Sequence, residues 1–306
     1  MSTAPATAQE LEFRDALFAD GLLLPGPARG VPGRGPVFAG IITGLRALLG
    51  RELARERPQM LAFPPVLPRA LIQRVGYEEK FPHLLGSVCC FAGGAREHEA
   101  MLTAGRESKS VLPFLGLSDV VLTPAACYPV YPALSGALPE GGRLIDVEGW
   151  CYREEPSDSP TRLRSFQMRE LICAGTPQQA FEFRERWVRR GLEILGQLGL
   201  PATSAPASDP FFGNAGRLLT ATQKEQQLKL ELVVEVAAPT PCALVSCNYH
   251  KQAFSELFGI QTADGAQAHT ACVGFGLERV ALALLHHHGF SLSGWPAELR
   301  GVLELS

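Results

Sequence analysis

The sequence predicts an α+β fold in which an antiparallel β-sheet is flanked by helices. From about Val120 the chain breaks into short apolar runs separated by turns: "VVLTPAACYPVYP", "RLIDVEGWCYREE", "LELVVEV" and "CALVSCN". Runs of this kind suit paired strands. Helical periodicity is confined to a few stretches that do not alternate strictly with those runs, which argues against a doubly wound parallel sheet. No internal repeat is visible. With 306 residues and 46% hydrophobic content, the chain can bury a full core. It reads as a single domain, 1–306, of which residues 1–60 form a mostly helical N-terminal portion.

The elements follow in order. Residues 9–24 hold a short helical pattern, and "PGPARGVPGRGP" (Pro25–Pro36) after it is a loop, since neither helix nor strand tolerates such punctuation. Phe38, Ile41, Ile42, Leu45, Leu48 and Leu49 recur at helical spacing and predict an amphipathic helix to about Arg57. "MLAFPPVLP" (Met60–Pro68) fits an edge or interface strand, because consecutive prolines cannot donate to a ladder. Among the later strands, helices are expected at Gln178–Leu198 and from about Leu277, where Val280, Ala281, Leu284 and Leu285 form an apolar stripe. His286–His288 read as a polar helix end. Adjacent helical side chains point in different directions, so these three do not converge on one ion.

Three short motifs carry chemistry: "YREE" (Tyr152–Glu155), "FQMRE" (Phe166–Glu170) and "GFGLER" (Gly274–Arg279). The first two are joined by the turn-rich "PSDSPT", which predicts a strand–loop–strand hairpin with arginines at both ends. Such a hairpin aims cations at one point, as a five-coordinate phosphorus transition state requires. In this order the motifs resemble motifs 2 and 3 of class II aminoacyl-tRNA synthetases. The Phe38–Arg57 helix running into a proline-bearing strand resembles motif 1, the dimer element. The resemblance implies a class II synthetase-like catalytic domain, a homodimer, and activation of a carboxylate by Mg·ATP. It assigns the α-phosphate and the substrate carboxylate to Arg153, the catalytic arginine. The adenine amino group falls to Glu155, the adenine faces to Phe166 and Arg279, and the terminal phosphates to Arg162. Glu231 matches an acidic ATP-site residue. An arginine suits the Arg279 position because its planar guanidinium covers a purine and still reaches a phosphate.

Cys127, Glu170 and Cys272 are far apart in sequence, yet their placement relative to the motifs brings all three to one pocket. Cys127 is expected on the strand before motif 2, Glu170 on its second strand, and Cys272 on the strand entering motif 3. Two thiolates and a carboxylate form a three-ligand zinc site with an open fourth position, the catalytic pattern. This constellation resembles the atypical seryl-tRNA synthetases of methanogens. It is closer still to their shortened relatives, the amino acid:[carrier protein] ligases. "YEEKFPHLLGSV", "ACYPVYP", "DPFFGNAGR", "SCNYH" and "AHTACVGFGLERV" carry the likeness, from roughly Leu24 to His288. It implies one Zn2+ taking the substrate's amino group, and substrate binding by Asn248. Seryl enzymes have a glutamate six residues before that asparagine; this chain has Cys242, which leaves the number of Mg2+ ions open.

Net charge of −3 and a sequence pI near 6.2 show no basic footprint, which argues against a tRNA partner. Eight cysteines without a CxxC pair read as reduced thiols of a cytoplasmic protein. No secretory signal, membrane span or lipidation motif is visible, and no membrane role is expected. The implied reaction is ATP-dependent activation of a small amino acid, glycine or alanine. Transfer to the phosphopantetheine thiol of a carrier protein follows. The alternatives are an aminoacyl-tRNA synthetase and a non-catalytic synthetase paralogue with a regulatory role. Arg184, Arg186, Arg189 and Arg190, on the Gln178–Leu198 helix, are either a solvated basic face or a docking face for an acidic carrier.

Overall fold

The computed structural model describes residues 5–238 and 240–305, and only the backbone of Ala215. The start of the polar N-terminal stretch, residues 1–4, lies outside the described residues. The first third runs α1 (Ala8–Ala19), β1 (Leu23–Leu24), β2 (Gly33–Arg34), α2 (Pro36–Ala54), β3 (Gln59–Leu61) and β4 (Val66–Pro68). Short helices α3 (Arg69–Arg74) and α4 (Tyr77–Lys80) follow, then β5 (Ser87–Phe91), α5 (Ala95–Arg106) and β6 (Leu115–Leu122). After α6 (Val130–Ala133) and β7 (Gly136–Ala137) come the long strands β8 (Arg143–Tyr152) and β9 (Ser165–Gly175). The chain continues through α7 (Pro177–Gln197), β10 (Thr203–Pro206), α8 (Gly213–Glu225), β11 (Lys229–Glu235) and β12 (Pro241–Lys251). It closes with α9 (Ala253–Phe258), β13 (Ile260–Gln261), β14 (His269–Gly276), α10 (Leu277–His288) and α11 (Ala297–Val302).

Local chemistry explains the main helices. In α7, Thr176 and Gln179 form a reciprocal capping box and Pro177 occupies the first turn, where no amide donor is needed. In α2, Pro36 plays the same part. The Pro25–Pro36 stretch is mostly loop, as expected, but Gly33–Arg34 within it pairs, as β2, with Leu23–Leu24 just before it. Met60–Pro68 is not one strand. Pro64 and Pro65 split it into β3 and β4, which join different sheets.

The central sheet has seven strands in the order β10-β11-β12-β14-β9-β8-β3. Every neighbouring pair is antiparallel except β3 with β8. The sheet is thus antiparallel, as expected, and mixed only at this one edge. Strand direction there depends on the path through the separate β4-β6-β5 sheet between them, which no local pattern encodes.

The period-2 alternation of strands divides the sheet into two faces. On one face Leu171, Cys173, Ala271, Val273, Phe275, Cys247, Leu232 and Val234 are buried in a cluster shared with α2, α7 and α10. Trp187 and Phe183 of α7 fill its centre, each at most 1% exposed, and burial of such rings contributes about 2–3 kcal/mol apiece. The other face carries Phe166, Met168 and Glu170 on β9, Cys272 and Gly274 on β14, Ser246, Asn248 and His250 on β12, and Lys229 and Glu231 on β11. All of them line one cavity of about 470 Å³.

Candidate functional site

The cavity begins at the β8–β9 hairpin. Tyr152 and Ser165 are its last paired residues, and the Arg153 amide closes the turn on the Arg164 carbonyl at 2.9 Å. The Arg153 side chain points inward. Its Nε donates to the Pro124 carbonyl at 3.1 Å, and the guanidinium carbon lies 5.4 Å from the Phe166 ring centroid. The hairpin loop is tied back to the N-terminal region, since Ser159 Oγ donates to Glu10 at 2.6 Å and Arg29 pairs with Asp158. Arg279, in the first turn of α10, donates to the Thr161 and Ala243 carbonyls at 2.9 and 3.1 Å. It bridges the hairpin loop and β12. Glu278 beside it is 2% exposed, accepts from the Gln167 amide through both oxygens at 2.9 Å, and is paired with Arg34.

Cys127, Glu170 and Cys272 converge. One ligand atom from each lies within 4.8 Å of the others, and all three residues are buried. Cys127 does not lie on a strand, as expected from sequence, but in the turn after β6. "TPAACYP" holds two prolines, so the ladder ends at Leu122. The turn puts the Cys127 amide 3.1 Å from a Glu170 oxygen, orienting the carboxylate. Gly274 makes room, because a Cβ there would meet Glu170 Cγ at 3.2 Å and Met168 Cε at 3.1 Å. Burial and the neighbouring Cys272 push the Glu170 carboxyl up to about 8. The contact between the two thiols drives Cys272 down, with help from His250 and Asn248, and drives Cys127 up. Zinc fits this donor set: two Zn–S bonds of about 2.3 Å at a tetrahedral angle need sulfurs about 3.8 Å apart. Ligand atoms within 4.8 Å of one another admit such a centre.

Of the polar floor, sequence assigned only Glu231. Lys229 Nζ pairs with Asp209 at 2.7 Å and Glu231 at 3.1 Å. Burial raises Asp209, yet Lys229 and Gln223 outweigh it and hold the carboxyl below its ordinary range. Asp209 opens "DPFFGNAGR" and His250 closes "SCNYH", so both motifs were visible while these two residues' places in the cavity were not. Asn248 donates to Cys272 Sγ at 3.4 Å.

Nine of the ten site residues expected from sequence line this cavity: Cys127, Arg153, Glu155, Phe166, Glu170, Glu231, Asn248, Cys272 and Arg279. Arg162 does not. Its side chain is 46% exposed, with Glu155 at 4.0 Å. The α7 arginines form only part of the solvated face considered above, with Arg186 and Arg189 exposed. Arg184 is buried and bonded to the Gln227 carbonyl, Arg186 pairs with Glu56, and Arg190 pairs with Glu52 and Glu193. The His286 and His287 rings meet edge to face at 5.3 Å, while His287 also contacts the Glu235 carbonyl and His288 the Leu198 carbonyl.

The chain matches no protein-family model. It is 44% identical over 308 residues to amino acid–[acyl-carrier-protein] ligase 1 of Bradyrhizobium diazoefficiens, covering 99% of this chain and 92% of that one. Ligase 2 of the same organism is 39% identical over 308 residues, covering 100% and 90%. Among solved structures, the seryl-tRNA synthetase of M. kandleri, crystallised with A. aeolicus tRNASec, superposes with a TM-score of 0.82 at 21% identity. That match covers 95% of this chain and 60% of the synthetase, and it establishes the class II synthetase-like α+β fold.

Proposed function

The chain belongs to the amino acid–[acyl-carrier-protein] ligase family, and on that premise we propose that it is a ligase that activates a small amino acid with ATP. A carboxylate oxygen of the amino acid attacks the α-phosphorus, the bond to pyrophosphate breaks, and an aminoacyl-adenylate forms. The phosphopantetheine thiol of a carrier protein then attacks the acyl carbon, AMP leaves, and a thioester results. The adenylate is already reactive, so no enzyme nucleophile is needed.

The observation that carries this reading is the shared cavity, in which Arg153 beside Phe166 faces the Cys127–Glu170–Cys272 cluster. Arg153 meets the charge that grows on the α-phosphate. Phe166 and Arg279 take the two faces of adenine, Glu155 its amino group, and Glu231 belongs to the Mg·ATP site. Half-exposed Arg162 closes on the terminal phosphates. Cys127, Glu170 and Cys272 would hold Zn2+, which when bound supplies an open position for a neutral amine. Asn248 lies beside Cys272 on the substrate side. Glycine or alanine is the expected size.

The catalytic unit spans 1–306, with α1 and α2 of the mostly helical portion 1–60 packed on the core, and works as a homodimer in the cytoplasm. No helix among the described residues is long and apolar enough to cross a membrane. For the carrier, α8 is a better dock than α7. Phe212 and Leu218 are exposed there, Leu218 at 72%, while Leu219, Thr222 and Gln223 of the same helix line the cavity. A carrier on α8 would place its arm at the cavity wall. The test has two stages: amino-acid-dependent pyrophosphate–ATP exchange, then transfer to phosphopantetheinylated carrier against tRNA. Exchange with transfer to carrier alone supports the reading. Charging of tRNA at comparable efficiency would replace it with a synthetase, and absence of exchange would leave a non-catalytic paralogue.

A further inference from the structure

The pairing of β12 with β14 contains an irregularity beside the metal cluster. Asn248 lies opposite Cys272 and Tyr249 opposite Ala271, but the next pair is Lys251 with Thr270. His250 is therefore an extra residue with no partner in the ladder, a β-bulge. The residue that follows, Lys251, adopts φ of +53°, a left-handed conformation that non-glycine residues rarely take. Bulges next to sites serve to re-aim a side chain, and this one has an identifiable target. His250 Nε2 lies 3.6 Å from Cys272 Sγ. On the other side of the ring, Nδ1 lies 3.1 Å from the hydroxyl of fully buried Thr270. Edge-on contacts to Phe254 at 4.9 Å and Tyr131 at 5.9 Å hold the imidazole between them.

We infer that His250 is a positioning residue for Cys272. It orients the thiolate by an N–H···S hydrogen bond whose tautomer is set by Thr270. The inference rests on the metal reading above and extends it to a residue outside the ligand triad. Thr270 donates its hydroxyl proton to Nδ1, which leaves the ring proton on Nε2, facing sulfur. With the Asn248 amide 3.4 Å away, Cys272 receives two N–H donors, while the Cys127 amide serves Glu170. The arrangement has a charge rationale. Two thiolates and a carboxylate carry three negative charges against the two positive charges of zinc. Donors on Cys272 draw density from its sulfur, so the metal keeps its affinity for a neutral amine.

The test uses the intact chain, stripped of metal and reloaded. Zinc affinity is measured by competition with a chromophoric chelator, and the cobalt-substituted protein reports its thiolate-to-metal charge-transfer band. His250→Ala should weaken zinc binding about 10- to 100-fold, the usual range for loss of an outer-shell partner. It should also move the cobalt band to longer wavelength, because a sulfur without its donor gives up charge more readily. His250→Gln, which keeps an N–H at similar reach, should restore most of the affinity. Thr270→Val, nearly isosteric, should reproduce part of the loss, and these two variants carry the comparison if His250→Ala does not fold. Wild-type affinity with an unshifted band in the histidine and threonine variants overturns the inference. If the wild-type chain itself takes up neither zinc nor cobalt, the underlying metal reading fails first, which is a different result.

Discussion

Glu278 offers the sharpest test of how the nucleotide half of the cavity is held. Its carboxylate ties the start of α10 to the start of β9, accepting from the Gln167 amide and pairing with Arg34. Arg34 is itself 4.5 Å above the Trp150 ring. The neighbours of these two anchor points are Arg279 and Phe166, so the carboxylate fixes the separation of the groups proposed to sandwich adenine. Glu278→Ala leaves the Gln167 amide without its acceptor, at about 1–3 kcal/mol. It also strips a partner from a buried ion pair, at about 3–5 kcal/mol. The two effects overlap, and Arg34 is 19% exposed and can regain some water. A net loss of about 4 kcal/mol is therefore expected. Unfolding entropy near 2.1 cal/mol/K per residue, over 306 residues, converts this to a fall in Tm of about 6 °C. Glu278→Gln keeps an acceptor and should lose about half as much. Calorimetry at pH 7 measures the shift, and titration with ATP should show affinity down about tenfold, or 1.4 kcal/mol. A Tm within about 1 °C of wild type would refute the energetic argument. A large Tm loss with unchanged ATP affinity would show that the clamp is structural only.

Arg153→Ala should lower pyrophosphate exchange by about 3 kcal/mol of transition-state stabilisation, more than a hundredfold; an effect under about tenfold would make the hairpin merely structural. Cys272→Ala and Cys127→Ala should abolish zinc uptake and amino-acid activation while leaving ATP binding partly intact. Metal analysis together with rejection of des-amino acids of equal size checks this. Asp209→Asn should destabilise the protein by about 2 kcal/mol at neutral pH, since hydrogen bonds to charged groups are the stronger kind. Because the folded state holds Asp209 below its ordinary range, that stabilisation is complete above about pH 4 and fades as acid protonates it. Denaturant curves of wild type and variant should converge in that direction, and a gap widening in acid would contradict the assignment. Leu218→Asp on α8 should slow transfer to the carrier and leave amino-acid activation unchanged; comparison with Arg189→Glu on α7 tells which helix docks.

Much of the site could be read from sequence because its residues fall at strand spacing inside recognisable strings. Phe166, Met168 and Glu170 alternate on β9, and Cys272 with Gly274 on β14, so one face could be inferred from each string alone. What failed depended on distant partners. Arg186 and Arg190 look like unpaired members of a basic stripe until Glu56, just after α2, and Glu52, within it, arrive. Asp209 gains its meaning from Lys229, and the direction of β3 from the β4-β6-β5 sheet in between. His250 was hidden for another reason: a bulge is one residue of irregularity, and no periodicity argument can mark it in advance.

The strand order β11-β12-β14-β9-β8 makes the sheet a ruler. Neighbouring strands spaced about 4.8 Å apart carry Glu231, Asn248, Cys272 and Glu170 in turn, one group to a strand, along the cavity wall. The metal ligands Glu170 and Cys272 occupy the middle graduations. The spacing of these four groups is thus set by whole strands, while Cys127 and Arg153 are placed by the turns after β6 and β8. A one-residue slip between any two strands would turn every inward group to the opposite face. The chemistry cannot loosen piecemeal. Loss of catalytic competence and loss of the sheet should occur at the same denaturant concentration, as one cooperative event.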